Sequence, residues 1–302
     1  MIHSNGHSSF NRRAFLSRTG VVAGATVALA SGGFLFKTAQ TATAQQPADL
    51  DPAVLNFALN LEYLEAEYYL RATTGAGLEA EGIGVTGQGT LGSVTVKPNP
   101  KVPFVFDFFA DVAAEIAHDE LAHVRFLREA LGNVAVARPT IDLLNSFNVL
   151  ARAAGLGSDF DPFANEVNFL IGAFIFEDVG VTAYHGAAPL ITDKTYLSAA
   201  AGILAVEAYH AGIIRTLLYE LGPFTQEAAN KISNLRNALS DEGAGVTDRG
   251  IRITGEPNLV PVDANAIAFS RSTRQVLNIV YGAVNAASGL FFPKGLNGAI
   301  SR

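Results

Sequence analysis

Two four-residue motifs stand out for their chemistry: Glu120-Leu121-Ala122-His123 and Glu207-Ala208-Tyr209-His210. Residues three apart on a helix share a face, so each motif projects a carboxylate and an imidazole together. A lone Glu-x-x-His carries little weight. Here the motif recurs within a larger repeat. Glu62 is followed seven residues later by Tyr69, and Glu177 seven residues later by Tyr184. The order along the chain is Glu, then Glu-x-x-His, twice over, as expected for a duplicated helical hairpin. The flanks are apolar (Ile116, Leu121 and Phe126; Leu204, Ile213 and Leu217), which turns the motifs toward a core. Four carboxylates and two imidazoles converging in a core repel one another unless cations lie between them. Two divalent metals would supply that charge, each taking one His and one terminal carboxylate and sharing a bridging Glu. Imidazole and carboxylate suit iron or manganese and do not separate them.

Neighbouring residues leave alternatives open. Glu65 lies three residues after Glu62 on the same face and competes with it as ligand. Glu115 and His118 repeat the motif in a shifted register, about 140° around the helix from Glu120 and His123, and read as a surface or outer pair. Asp119, four before His123, is placed to orient that ring or to be solvated. His185 reads as a bonded helix-end histidine. Tyr69 and Tyr184 read as core aromatics with bonded hydroxyls, near enough for a redox role.

The elements that must carry these residues are helical. Asp51 and Pro52 open helix 1, which runs to Ala72. Residues 73–100 hold seven Gly and two Pro and form a long insertion. Helix 2 is expected over Phe104–Leu131, a connecting helix over Ile141–Ala154, and helix 3 from Asp161-Pro162 to about Ala187. Asp193 caps helix 4, which ends at Leu221-Gly222-Pro223. Amphipathic stretches follow at Thr225–Leu239 and Ala268–Tyr281. The only strand-like fragment is Ser93–Val96. The fold class is all-α: four long helices with a helical C-terminal extension.

The pattern resembles the ferritin-like superfamily over roughly residues 52–222. Leu55–Tyr69, Phe269–Tyr281 and Gly289-Leu290-Phe291-Phe292-Pro293 resemble more narrowly the ferritin-like desiccation-related proteins. The resemblance implies a four-helix bundle with a long crossover and a centre of two iron or manganese ions. It implies Glu62 and Glu177 as single carboxylates, Glu120 and Glu207 as bridging ligands, and His123 and His210 as terminal ligands. Peroxide or oxygen chemistry follows as one expectation, with small oxygen species as substrate. Metal sequestration and a structural role in drying stress are the others. The insertion at 73–100 and the extension after Gly222 depart from the basic ferritin pattern and argue against a simple storage cage.

The expected organisation is a signal over 1–44, a bundle over 45–224 and an extension packed on it over 225–302. Arg12-Arg13-Ala14-Phe15-Leu16, an apolar run from Thr19 to Phe36, and Ala42-Thr43-Ala44 have the order of a twin-arginine export signal. Cleavage there implies a periplasmic or extracellular protein with no stable membrane insertion. The 302-residue chain has 21 basic residues; the four in the signal (Arg12, Arg13, Arg18, Lys37) leave 17 against 28 acidic, a net −11. That balance excludes a nucleic-acid partner. Self-association as a dimer is compatible with the sequence. The chain has no Cys, no Trp and one Met, so disulfides and thiol chemistry are excluded. A mature chain without the most oxidisable side chains also suits an oxygen-reactive centre.

Overall fold

A computed structural model describes residues 50–240 and 245–302; the expected signal at 1–44 lies outside the described residues. The described part is all-α. Its helices are α1 (Asp51–Thr74), α2 (Asp107–Leu131), α3 (Asn145–Ala153), α4 (Glu166–Ala187), α5 (Lys194–Glu220), α6 (Pro223–Leu239) and α7 (Thr273–Tyr281). α1 packs on α2 and α4 on α5 as two hairpins, joined face to face through α1 and α4. Residues 132–165 form the crossover between the hairpins. α6 and α7 pack against α4 and each other.

Local chemistry sets the helix limits. α1 begins at Asp51 with Pro52 in its first turn. The Asp51 carboxylate also accepts the backbone N–H groups of Thr192 and Asp193, both at 2.8 Å, and so ties the start of α1 to the start of α5. Asp193 caps α5 by accepting from Thr195 and Tyr196. α4 starts later than Asp161-Pro162 suggests. Asp161 accepts from the Phe163 N–H and pairs with Lys97, and Asn165 is the residue that caps the helix. α2 starts at Asp107 rather than Phe104: Phe106 is extended, and the Glu166 carboxylate accepts the backbone N–H groups of Val105 and Phe106. Ser272 and Gln275 form a reciprocal capping box at α7.

The insertion at 73–100 is anchored. Its strand β1 (Val94–Thr95) pairs in parallel with β2 (Ile141–Asp142) of the crossover. The helix expected from Ile141 therefore begins only at Asn145. Arg138, buried in the crossover, reaches Glu67 on α1 and Glu79 of the insertion. A second two-stranded pair, Arg252–Ile253 with Glu256–Pro257, lies in the extension.

The core is continuous, from α1 (Leu59, Tyr63, Tyr68) through α4 (Phe169, Phe174) to Phe291 and Phe292 of the C-terminal tail. Helices α4 and α5 are each long and apolar enough to cross a membrane. α4 is the buried central helix, and α5 points Glu207, His210 and Arg215 inward. Phe126 and Ile213, two of the apolar residues flanking the motifs, are 41% and 38% exposed. They sit on the outer faces of α2 and α5.

Candidate metal centre

The repeat places its carboxylates and imidazoles in one buried cluster at the middle of the bundle. Glu62, Glu120, Glu177 and Glu207 are essentially inaccessible, and His123 and His210 are 8% and 3% exposed. On one side, His123 Nδ1 lies 3.2 Å from Glu62 Oε2, 3.6 Å from Glu120 Oε2 and 3.9 Å from Glu207 Oε1. On the other, His210 Nδ1 lies 3.1 Å from Glu120 Oε1 and 3.4 Å from Glu177 Oε2. Two ligand groups result: Glu62, Glu120, His123 and Glu207; and Glu120, Glu177 and His210. Glu120 is common to both, as a bridging carboxylate requires. Glu207 falls only with the first. Glu65 is buried but belongs to neither.

The outer contacts cross between the two halves. Tyr69 of α1 donates to Glu177 Oε1 of α4, and Tyr184 of α4 donates to Glu62 Oε1 of α1. These exchanged bonds show α1 and α4 running antiparallel about a local two-fold axis. Each phenol takes one oxygen of its carboxylate and leaves the other facing the cluster. Asp119 Oδ2 lies 3.2 Å from His210 Nε2. It orients His210, not its own helix neighbour His123, because α2 and α5 meet at this level. With Nε2 turned to Asp119, Nδ1 is the ring atom that faces the cluster.

The remaining sequence candidates lie outside. Glu115 is exposed, and the His118 side chain is 76% exposed beside Asp119. His185 Nδ1 lies 3.1 Å from the Phe269 carbonyl oxygen.

The electrostatics are those of a site suited to cations. Eight ligand-type atoms of the six residues are buried without a hydrogen-bond partner: Glu62 Oε2, both Glu120 oxygens, His123 Nδ1, Glu177 Oε2, both Glu207 oxygens and His210 Nδ1. The short approaches between them are not aligned as hydrogen bonds. Buried polar atoms are normally satisfied, so this concentration is unusual. Burial disfavours protonated His123, but Glu62 and Glu120 outweigh it and push its pKa up to about 11. Glu177 and Glu120 likewise outweigh burial at His210 and push it up to about 12. Burial raises Glu62 to about 7 against the pull of His123. Burial raises Glu207 too, with further upward pressure from Glu65 and Glu120. Burial pushes Glu120 up, but the two imidazoles beside it outweigh that, and Glu120 alone of the four is held well below the usual range. Without metal, protons do the work of cations here. The donor set of carboxylate oxygens and imidazole nitrogens fits two hard-to-borderline divalent ions.

Comparison with known proteins places the cluster inside a matched family domain. The ferritin-like domain model matches residues 50–220, which span the four helices and the complete ligand set. The chain belongs to the ferritin-like family. Among its relatives, a desiccation-related protein, PCC13-62 of Craterostigma plantagineum, is 35% identical over 272 residues, covering 82% of this chain and 83% of that protein. The ferritin-like catalase Nec2 of Nesocodon mauritianus is 28% identical over 278 residues, covering 84% and 85%. Both matches cover more than residues 1–220 could supply, so within this family the likeness includes part of the C-terminal extension.

Two residues near the centre were not legible as such. Asp119 was noticed, but its partner on another helix was not. Gly180, against which the Glu207 carboxylate rests, drew no attention. A glycine three residues after a ligand in a helix interior was the available signal.

Proposed function

We propose that this ferritin-like protein holds two iron or manganese ions between Glu62, Glu120, His123, Glu177, Glu207 and His210, and turns over hydrogen peroxide. The observation that carries metal binding is the set of eight buried, unpartnered donor atoms converging on two adjacent positions. Peroxide as substrate is supported by the catalase named among its relatives. When bound, the metal pair supplies Lewis acidity and two-electron redox capacity. The chain's own residues do the rest. Glu120 spans the two positions. Tyr69 and Tyr184 pin one oxygen of Glu177 and of Glu62. Asp119, whose side chain is 34% exposed, connects the buried His210 to the protein surface and orients its ring. The buried site keeps bulk water and larger reductants away. The N-terminal twin-arginine pattern supports export, with action outside the cytoplasm.

The test is oxygen evolution from hydrogen peroxide by metal-loaded protein, compared with Glu120→Ala. Turnover in the wild type that falls at least a hundredfold in the variant is expected; equal rates in both would remove the enzymatic reading. A second reading is favoured by the desiccation-related relative: the metals are held without turnover, as sequestration during drying. Full metal content with no oxygen evolution would select it.

A further inference from the structure

The two halves of the repeat match at Glu62/Glu177, Tyr69/Tyr184, Glu120/Glu207 and His123/His210. They differ three residues after the first ligand. α1 carries Glu65 there, and α4 carries Gly180. Both line one small cavity beside the cluster, closed by Val179 of α4, Ile279 and Val280 of α7, and Phe291 of the tail. A mid-helix glycine is disfavoured relative to alanine, so its place in this buried helix calls for a packing reason. The reason is on the facing helix. A Cβ on Gly180 would stand 2.8 Å from the Glu207 carboxyl carbon and closer still to Oε2. The Glu207 carboxylate occupies the space that the missing side chain leaves. There it keeps only a 3.9 Å approach to His123, whereas Glu120 touches both imidazoles.

We propose that Gly180 is a positioning residue that holds Glu207 aside from the bridging place, so that Glu120 is the single carboxylate shared by the two metal positions. The proposal rests on the metal centre described above. An added methyl group at position 180 would fill the space the Glu207 carboxylate occupies and push it off α4, toward the His123 and Glu120 side of the cluster. The asymmetry of the centre is then set by a residue with no ligand atom, and the extension that closes the cavity seals this side of the site.

Full-length protein stripped by chelator and reloaded with Mn(II) tests this. Wild type should bind two Mn(II) per chain. Gly180→Ala should still bind them, with altered exchange coupling between the ions in electron paramagnetic resonance, as a second carboxylate enters the bridge. Shortening the displaced side chain in Gly180→Ala/Glu207→Asp should return the coupling toward wild type. In metal-free protein, Gly180→Ala should raise the melting temperature in a Glu207→Ala background, by about 2 °C from helix propensity, and lower it in the wild-type background. Unchanged coupling in Gly180→Ala, or additive melting shifts, would overturn the positioning role while leaving the metal centre standing. Failure of the wild type to bind a Mn(II) pair would overturn both.

Discussion

Glu120 is the residue on which the two ligand groups depend together. Its oxygens approach both imidazoles, and it alone among the four carboxyls is held ionised by its neighbours. Glu120→Ala is therefore expected to lose both metals, whereas Glu177→Ala loses one; metal analysis per chain distinguishes them. Asp119 acts through His210, and Asp119→Ala should weaken metal binding about 10- to 100-fold, read by competition with a chelating dye. Protons and metals compete for the same atoms. With His123 and His210 pushed up to about 11 and about 12, both imidazoles carry a proton at pH 7 when metal is absent. Loading metal at pH 7 should release about two protons per chain from these groups, plus those of the raised carboxyls, in a pH-stat titration.

The same shifts give opposite pH dependences with and without metal. In metal-free protein, Glu62, Glu177 and Glu207 have folded pKa values above the ordinary 4.5, raised chiefly by burial. Their protonated forms stabilise the fold below that value, and the contribution is lost as pH rises, for Glu62 through about 7. The raised imidazoles contribute fully below 6.5 and lose that contribution progressively from there up to about 11 and 12, so they act in the same direction near neutrality. Glu120 works the other way, losing its contribution as pH falls. With Glu65, which burial also raises, four raised groups outweigh one lowered group. Metal-free protein should melt higher at pH 5 than at pH 8, and metal-loaded protein higher at pH 8 than at pH 5, by scanning calorimetry at both pH values.

At the scale of elements, each hairpin supplies half a site and the other hairpin holds it in place. Tyr69 and Tyr184 each bond a carboxylate of the opposite half. Tyr69→Phe would leave Glu177 Oε1 buried without a donor, at a cost of about 1–3 kcal/mol, measurable by urea denaturation of metal-free protein. Much of this level was legible in the sequence. Spacing within a helix fixes which residues share a face, so Glu120 with His123, and Glu207 with His210, could be placed from periodicity alone. Spacing does not fix how one helix is rotated against another. Asp119 was read against His123 on its own helix and instead meets His210 on α5. Phe126 and Ile213 belong to the apolar flanks that point the motifs inward, yet they themselves face outward. Helix starts slipped where a competing partner took the expected signal, as at Asp161, which pairs with Lys97, and Ile141, which pairs with Val94.

At the scale of the molecule, the four-helix bundle is enclosed further than its ligands require. The 73–100 insertion is strapped to the crossover through β1, β2 and Arg138, and the extension packs α6, α7 and Phe291 onto α4. A buried network joins the extension to the bundle: Arg215 and Arg236 meet Asp178, and Arg236 and Arg271 meet Asp248. Neither addition could be positioned from the sequence, because the strand pairing and side-chain contacts that hold them join residues far apart along the chain. Asp178 directly follows the ligand Glu177, so the extension's arginines also brace α4 at the centre. Metal should then stabilise the whole described fold at once. At free metal about a thousandfold above its dissociation constant, binding adds about 4 kcal/mol, and chelation should lower the melting temperature by about 10 °C.

The most direct test of a di-metal centre is elemental analysis of protein purified from its native compartment without added metal. Close to two iron or manganese ions per chain, falling to near zero in Glu120→Ala, is the expected result. Fewer than about 0.2 metals per chain in the wild type, with the protein folded, would contradict it.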